Sequence, residues 1–163
     1  MGEQQKKTPS ISVIIPSFNE AANIAQSILS CKHENVDDII VVDGGSRDDT
    51  VSIAKRFDVQ VLEKQKASRA RQMNQGARNA RGDLLVFLHA DTVLKYRAIE
   101  SLIDASQNDE YVGGCFFRHY LSQNPILHMS SYMGNLRANR FGYMFGDQTL
   151  WVRKKVFEQL GGF

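Results

Sequence analysis

Four short runs of mainly apolar residues mark the first ninety positions: Ile11-Ser12-Val13-Ile14-Ile15, Ile39-Ile40-Val41-Val42, Val59-Gln60-Val61-Leu62 and Leu84-Leu85-Val86-Phe87-Leu88. Short continuous runs of this kind predict buried strands. The segments between them switch to helical spacing. Ala22, Ile24, Ala25, Ile28 and Leu29 predict a helix with Asn19 as its N-cap and an end near Cys31. Val51, Ile53, Ala54 and Phe57 predict a second, capped by Asp48 or Asp49. A third runs from Ser68 to Ala80 and is unusually basic, carrying Arg69, Arg71 and Arg78. Strands of this type alternating with helices predict an α/β fold, a mostly parallel sheet with helices on both faces.

After Asp91 the pattern loosens. It predicts a helix over 97–106, a strand or strand pair over 111–120, and an amphipathic, Met-rich segment over 125–140. Leu150-Trp151-Val152 predicts a further strand, and a last short helix follows over 154–160, closed by Gly161-Gly162. Methionine and aromatic side chains spaced as in Met129, Tyr132, Phe141, Tyr143, Met144 and Phe145 predict core filling.

Composition narrows the class. The chain has 163 residues, a net charge of +2, 42% hydrophobic and 23% charged residues. That is too apolar for disorder and too charged for a membrane-embedded chain. A small net charge supplies no field for a polyanion, so nucleic acid is not an expected partner. The longest apolar run, Leu84–Leu88, is far below the ~20 residues of a transmembrane helix. Cys31 and Cys115 are expected to be free thiols in a reducing, cytoplasmic setting. Residues 1–10 are expected to form a flexible tail and 11–163 a single domain.

Three of the four strand runs end in polar, chemically capable residues. These are Ser17-Phe18-Asn19-Glu20, Asp43-Gly44-Gly45-Ser46 and His89-Ala90-Asp91-Thr92. Open α/β sheets bind ligands outside the carboxyl ends of their strands. Asp43 fits two roles there: cap of a tight Asp-Gly turn, or acceptor for a ribose or base. Glu20 either complements a helix dipole or faces the ligand. His89 and Asp91, two residues apart, either ligate a metal left open to substrate oxygens or bond locally and cap the next segment. Arg69 and Arg71 offer guanidinium groups to a diphosphate, or form a solvated face with Arg78.

In order, these segments resemble family 2 glycosyltransferases of the inverting, GT-A-fold type. The resemblance is carried by residues 12–20, by Ile40-Val41-Val42-Asp43-Gly44-Gly45-Ser46 with Asp48, Asp49 and Thr50, and by Asn74-Gln75-Gly76-Ala77. It continues through Ala80-Arg81-Gly82-Asp83, Phe87–Thr92, Gly146-Asp147-Gln148 and Phe157–Phe163. It implies a donor of the UDP- or GDP-sugar type and an acceptor that stays unassigned, with a lipid-linked one as an option. It implies that Asp43 and the loop from Pro16 through Asn19 to Glu20 hold the base and ribose. Ser46, Asn74 and Ala90 complete the substrate-binding positions, and Arg69 or Arg71 would neutralise the diphosphate.

Asp91 matches the last acidic position of the family's D-x-D signature, which binds Mn²⁺ or Mg²⁺. The first position of that signature is His89 here, in a His-Ala-Asp-Thr form that resembles a bacterial subgroup. The resemblance implies a donor-binding half over 11–95 and an incomplete acceptor half over 96–163. The family's carboxylate base follows the Gly-Gly-Phe segment, so it is expected beyond Phe163 in a longer parent chain, with Asp147 as the substitute. A catalytically incomplete module that binds nucleotide or a partner is the alternative. A nucleotidyltransferase is disfavoured because the loop after the first strand has no glycine. For the Met-rich segment, the functional option is an acceptor surface or a membrane-proximal face, which would place the protein at the membrane periphery.

Overall fold

The computed structural model describes residues 8–63, 68–144 and 148–163. Its centre is a six-stranded sheet of order β3-β2-β1-β4-β6-β5. The strands are β1 (Ile11–Ser17), β2 (Val36–Asp43), β3 (Gln60–Leu62), β4 (Leu84–Phe87), β5 (Gly113–Cys115) and β6 (Leu150–Arg153). The four strands of the first half run parallel, whereas β6 is antiparallel to both β4 and β5. The helices are α1 (Ile24–Ser30), α2 (Thr50–Ala54), α3 (Arg69–Asn79), α4 (Ala98–Ser106), α5 (Pro125–Phe141) and α6 (Lys154–Gln159).

Strand alternation divides the core between the two faces. Val13, Ile15, Val41, Val86 and Trp151 pack with Ile24 and Ile28 of α1 and with Ile99 and Leu102 of α4. Ile14, Ile40, Val42, Leu85 and Phe87 pack on the other face with Ala77 of α3 and Phe157 of α6. Such two-sided burial is why these strands read as unbroken apolar runs. α3 lies so close to the sheet that a Cβ on Gly76 would stand 2.4 Å from Ile14 Cγ2. The glycine is there because no side chain fits.

Three expectations change. α1 begins at Ile24, not just after Asn19, because Asn19 sits at φ 55° and so leaves the helical path. The strand expected within 111–120 is only the three residues Gly113–Cys115 at the sheet edge. α5 is not core filling: only Ser131 and Gly134 are buried, while Met129, Tyr132, Met133 and Phe141 are each more than half exposed. The helix is tied by polar bonds to the segment that follows this short edge strand. Asn135 accepts from the Arg118 backbone N–H at 2.9 Å and returns a bond to its carbonyl at 2.9 Å. A contact made by small and polar groups leaves the long apolar side chains facing outward. Among the described residues no helix is long and apolar enough to cross a membrane.

Candidate functional site

Parallel register sets the site. Ser17 pairs with Asp43, so β1 and β2 end side by side. The loops that leave them are sewn together. The Gly44 backbone N–H donates to the Ser17 carbonyl at 2.8 Å. Asn19 donates its N–H to Ser46 Oγ at 2.9 Å, and its Oδ1 accepts from the Arg47 N–H at 2.9 Å. Glu20 N–H donates to Thr50 Oγ1 at 2.7 Å, and Ala21 N–H to Asp48 Oδ2 at 3.1 Å. The left-handed backbone of Asn19 turns its amide and side chain toward the β2 loop; asparagine tolerates that conformation better than most residues.

Asp43 organises this junction. It is 2% exposed, and one carboxylate oxygen accepts from the N–H groups of Gly45 at 2.8 Å and Ser46 at 2.9 Å. The other accepts from Ser46 Oγ. The turn needs Gly45 at φ 89°. In the structure Asp43 thus caps the loop, and Ser46 relays that anchoring to Asn19. Asp48 does the same for the start of α2, accepting from both the N–H and the hydroxyl of Thr50. Those bonds, the hydroxyl's first, hold its carboxyl below the ordinary carboxylate range against a smaller opposing effect of desolvation. Glu20 accepts from the Asn23 side-chain amide at 2.9 Å, and Pro16 is partly exposed beside Val42.

Gln72, on the basic helix α3, is a buried member of the site. Its side-chain amide donates to the carbonyls of Ser17 at 2.9 Å and Val42 at 2.7 Å, bolting α3 across the ends of both strands. The available signal was its position four residues before Gly76, hence on the same sheet-facing side of the helix. The same geometry puts the first turn of α3, with exposed Arg69 and Arg71, at the carboxyl ends of the strands. Arg78 lies two turns away against a cavity of about 210 Å³ that Asn74, Lys154, Phe157 and Glu158 also line. It does not join the other two arginines.

Asn74 is occupied differently from the role inferred for it. Its Nδ2 donates to the Phe163 carbonyl at 3.1 Å, and its Oδ1 accepts from the Phe163 N–H at 3.0 Å. Phe163 is further held by rings, with Phe87 and Phe157 at centroid distances of 5.1 and 5.3 Å. The Gly161-Gly162-Phe163 segment is thereby pinned beside the end of β4.

β4 stops at Phe87, and the chain turns where simple strand alternation would have continued: Thr92 N–H donates to the His89 carbonyl at 3.0 Å. Ala90 is buried in the core, His89 is half-buried, and Asp91 is exposed with only a long 3.4 Å contact from Thr92 Oγ1. No group of three or more potential metal-ligating His, Cys, Asp or Glu side chains occurs among the described residues. An exposed carboxylate with spare lone pairs, such as that of Asp91, is a donor type that suits a divalent ion completed by substrate oxygens. Asp147 lies outside the described residues.

Comparisons place this geometry among known proteins. The model of glycosyl transferase family 2 matches residues 12–161. An uncharacterized glycosyltransferase of Bacillus subtilis, YfnE, is 34% identical over 121 residues, covering 68% of this chain and 31% of that protein. A glucosyl-3-phosphoglycerate synthase of Petrotoga mobilis is 39% identical over 65 residues, 36% of this chain and 20% of that one. In structure, the fold matches a Pyrobaculum calidifontis mannosyltransferase in complex with GDP-Man and Mn²⁺. Its TM-score is 0.72 at 22% identity, covering 96% of this chain and 48% of that one. It also matches the Mycobacterium tuberculosis glucosyl-3-phosphoglycerate synthase in complex with Mn²⁺, UDP and phosphoglyceric acid. There the TM-score is 0.68 at 20% identity, with 91% of this chain and 57% of that one covered. The chain spans about a third of YfnE and about half of the two solved proteins. The solved structures establish the GT-A fold. The family match runs through nearly the whole chain, and the protein belongs to glycosyl transferase family 2.

Proposed function

We propose that this chain binds a nucleoside-diphosphate sugar, of the UDP or GDP type, at the interlocked β1 and β2 loops. The observation that carries the proposal is the junction of Asp43, Ser46 and Asn19, bolted by Gln72, with two exposed arginines at its edge, Arg69 and Arg71. The Pro16–Glu20 loop and Asp43 would take the base and ribose, and Arg69 and Arg71 would face the diphosphate. That the Pyrobaculum protein is seen with GDP-Man and the Mycobacterium protein with UDP supports this choice of donor.

Transfer then proceeds by direct displacement with inversion. The acceptor hydroxyl oxygen bonds to the anomeric carbon as the bond from that carbon to the diphosphate oxygen breaks. The hydroxyl proton passes to a carboxylate base, and the electron pair leaves on the diphosphate. Arg69 and Arg71, on the first turn of α3, would offset that developing charge. A bound Mn²⁺ or Mg²⁺, held by Asp91 with His89 beside it, would supply further charge neutralisation at the diphosphate. Asn74 orients the Gly161-Gly162-Phe163 segment, and Asp147 is the candidate base within this chain. The acceptor is read as lipid-linked, met in the cytoplasm at the membrane periphery, on the strength of the outward apolar face of α5.

The test is thermal stabilisation by UDP or GDP with and without MnCl₂. One of the two should raise the melting temperature, and Asp91→Ala should remove the metal-dependent part of the shift. No stabilisation by either nucleotide with any divalent metal would sink the donor assignment.

A further inference from the structure

The carbonyl of Ser17 is a meeting point. It accepts the Gly44 N–H that stitches the β1 and β2 loops, at 2.8 Å, and the side-chain amide of Gln72 from α3, at 2.9 Å. The same amide donates to the Val42 carbonyl at 2.7 Å, so one side chain, 4% exposed, ties the helix to the ends of both strands. Among the described residues no other side chain of α3 hydrogen-bonds to β1 or β2. The rest of the helix's seat there is made by Met73, Gly76 and Ala77, which pack with Ile14 and Val42. Apolar packing sets how close the helix comes but has no direction along it. Two directional bonds to fixed strand ends set its axial position and its rotation.

That register decides where the arginines stand. Arg69 and Arg71 are exposed on the first turn of α3. At ~100° per residue they lie about 60° and about 100° from Gln72, on opposite sides of it. A slip of one residue would carry both ~1.5 Å along the axis and ~100° around it. We propose that Gln72 is a positioning residue of the donor site. It holds Arg69 and Arg71 in register with the Asp43, Ser46 and Asn19 junction, so that the two ends of one nucleoside diphosphate meet their partners together. It acts through the arginines rather than on the ligand. Guanidinium groups match phosphate oxygens through paired donors, and a displacement of ~1 Å can cost on the order of a hundredfold. This role rests on the donor reading above and deepens it.

The experiment is a double-mutant cycle read by calorimetric titration of UDP and of GDP, each with MnCl₂, on the 163-residue chain. Its corners are the parent, Gln72→Met, Arg69→Ala with Arg71→Ala, and all three changes together. Methionine keeps the length of the side chain and removes the amide donor. For the nucleotide that binds, Gln72→Met and the arginine pair should each weaken binding at least about tenfold. The triple variant should be weaker than the arginine pair by no more than about threefold, because arginines that are gone cannot be misplaced. A Gln72 that only stabilises the fold gives factors that multiply, and that result overturns the role. Unchanged affinity in Gln72→Met, or in the arginine pair, overturns it too. Circular dichroism and the melting temperature check each variant's fold. Gln72→Asn, which keeps an amide on a shorter side chain, carries the same cycle if the methionine variant does not fold. Binding of neither nucleotide by the parent sinks the donor assignment and this role with it. Binding with multiplying factors leaves the donor site standing and removes only the role of Gln72.

Discussion

The junction of the β1 and β2 loops and the helix α5 are both assembled from polar contacts, yet they do opposite things. At the junction, hydrogen bonds that run from the exposed loops into the core tie two loops and a helix together: Asp43 holds its own turn, Ser46 holds Asn19, and the buried amide of Gln72 holds both strand ends. At α5, polar bonds such as those between Arg118 and Asn135 fasten the helix by its small-residue side and turn its apolar side away. Hydrogen bonds made inside a densely packed core are fixed by everything around them. The same bonds at a sheet edge leave a helix attached along one side only. The first arrangement suits preorganised binding, the second a surface that meets something large.

The largest expected effect is at the packed end of the comparison. Gly76→Val should destabilise the fold by about 3 kcal/mol or more in urea unfolding, because the new side chain must displace Ile14. A loss below about 1 kcal/mol would mean that α3 is not seated as closely as the geometry requires. Next is Gln72→Leu, which leaves the Val42 carbonyl without its donor in a buried setting. It should cost about 2 kcal/mol and should also weaken nucleotide-induced stabilisation, since the two strand ends are no longer bolted. If stability falls and nucleotide response does not, Gln72 is a structural bolt only.

The two cysteines sharpen the contrast between core and edge. Burial pushes the Cys31 thiol up to about 12, with a bond from Ser30 working weakly against it. The folded protein keeps Cys31 protonated where the unfolded chain, with its ordinary value of 9.0, has begun to ionise. Cys31 therefore contributes stability that is complete below pH 9 and is lost as pH rises toward 12. Unfolding monitored across that range should show the decline, and Cys31→Ala should flatten it. Cys115, at the β5 edge and only half-buried, is raised less, with Arg137 opposing the effect of burial. Native-state alkylation should label Cys115 first, with Cys31 reacting only as the chain unfolds.

The smallest effects are expected on the outer face of α5 and at Asp48. Met133→Ala should change stability by no more than about 0.5 kcal/mol, since its side chain has little packing to lose. A larger loss would show that the stripe is covered in solution. Asp48 is bonded by Thr50 and held below its ordinary 3.8, so its contribution is present above that value and fades as pH falls through the lower, folded one. Asp48→Asn should remove that acid-side dependence, lowering the melting temperature slightly at neutral pH and leaving it unchanged well below pH 3.8.

Much of the donor-side architecture was legible in the chain. Unbroken apolar runs such as Ile39–Val42 have one physical solution in water, burial on both faces of a sheet, and the polar residues that close them then fall at its carboxyl edge. Asp43-Gly44-Gly45-Ser46 marked the turn, and the glycines marked close approach. What pattern alone left open was which polar atom meets which. Whether Asp43 caps its loop depends on a bond to Ser46 three residues on, and whether Asn74 faces a ligand or Phe163 depends on a contact across 89 positions.

The sequence by itself therefore determined the family, the sheet and the edge at which chemistry-bearing residues gather, because local periodicity and burial act within a few residues. Tertiary structure decided the rest: Gln72 as the bolt, Arg78 apart from Arg69 and Arg71, a turn at His89, and α5 with its apolar side outward. Helical spacing says that a stripe exists, but not which side of the helix packs against the body. That is set by which groups the body engages, here Ser131, Gly134 and the Arg118–Asn135 bonds on one side of α5, which leaves the apolar stripe outward.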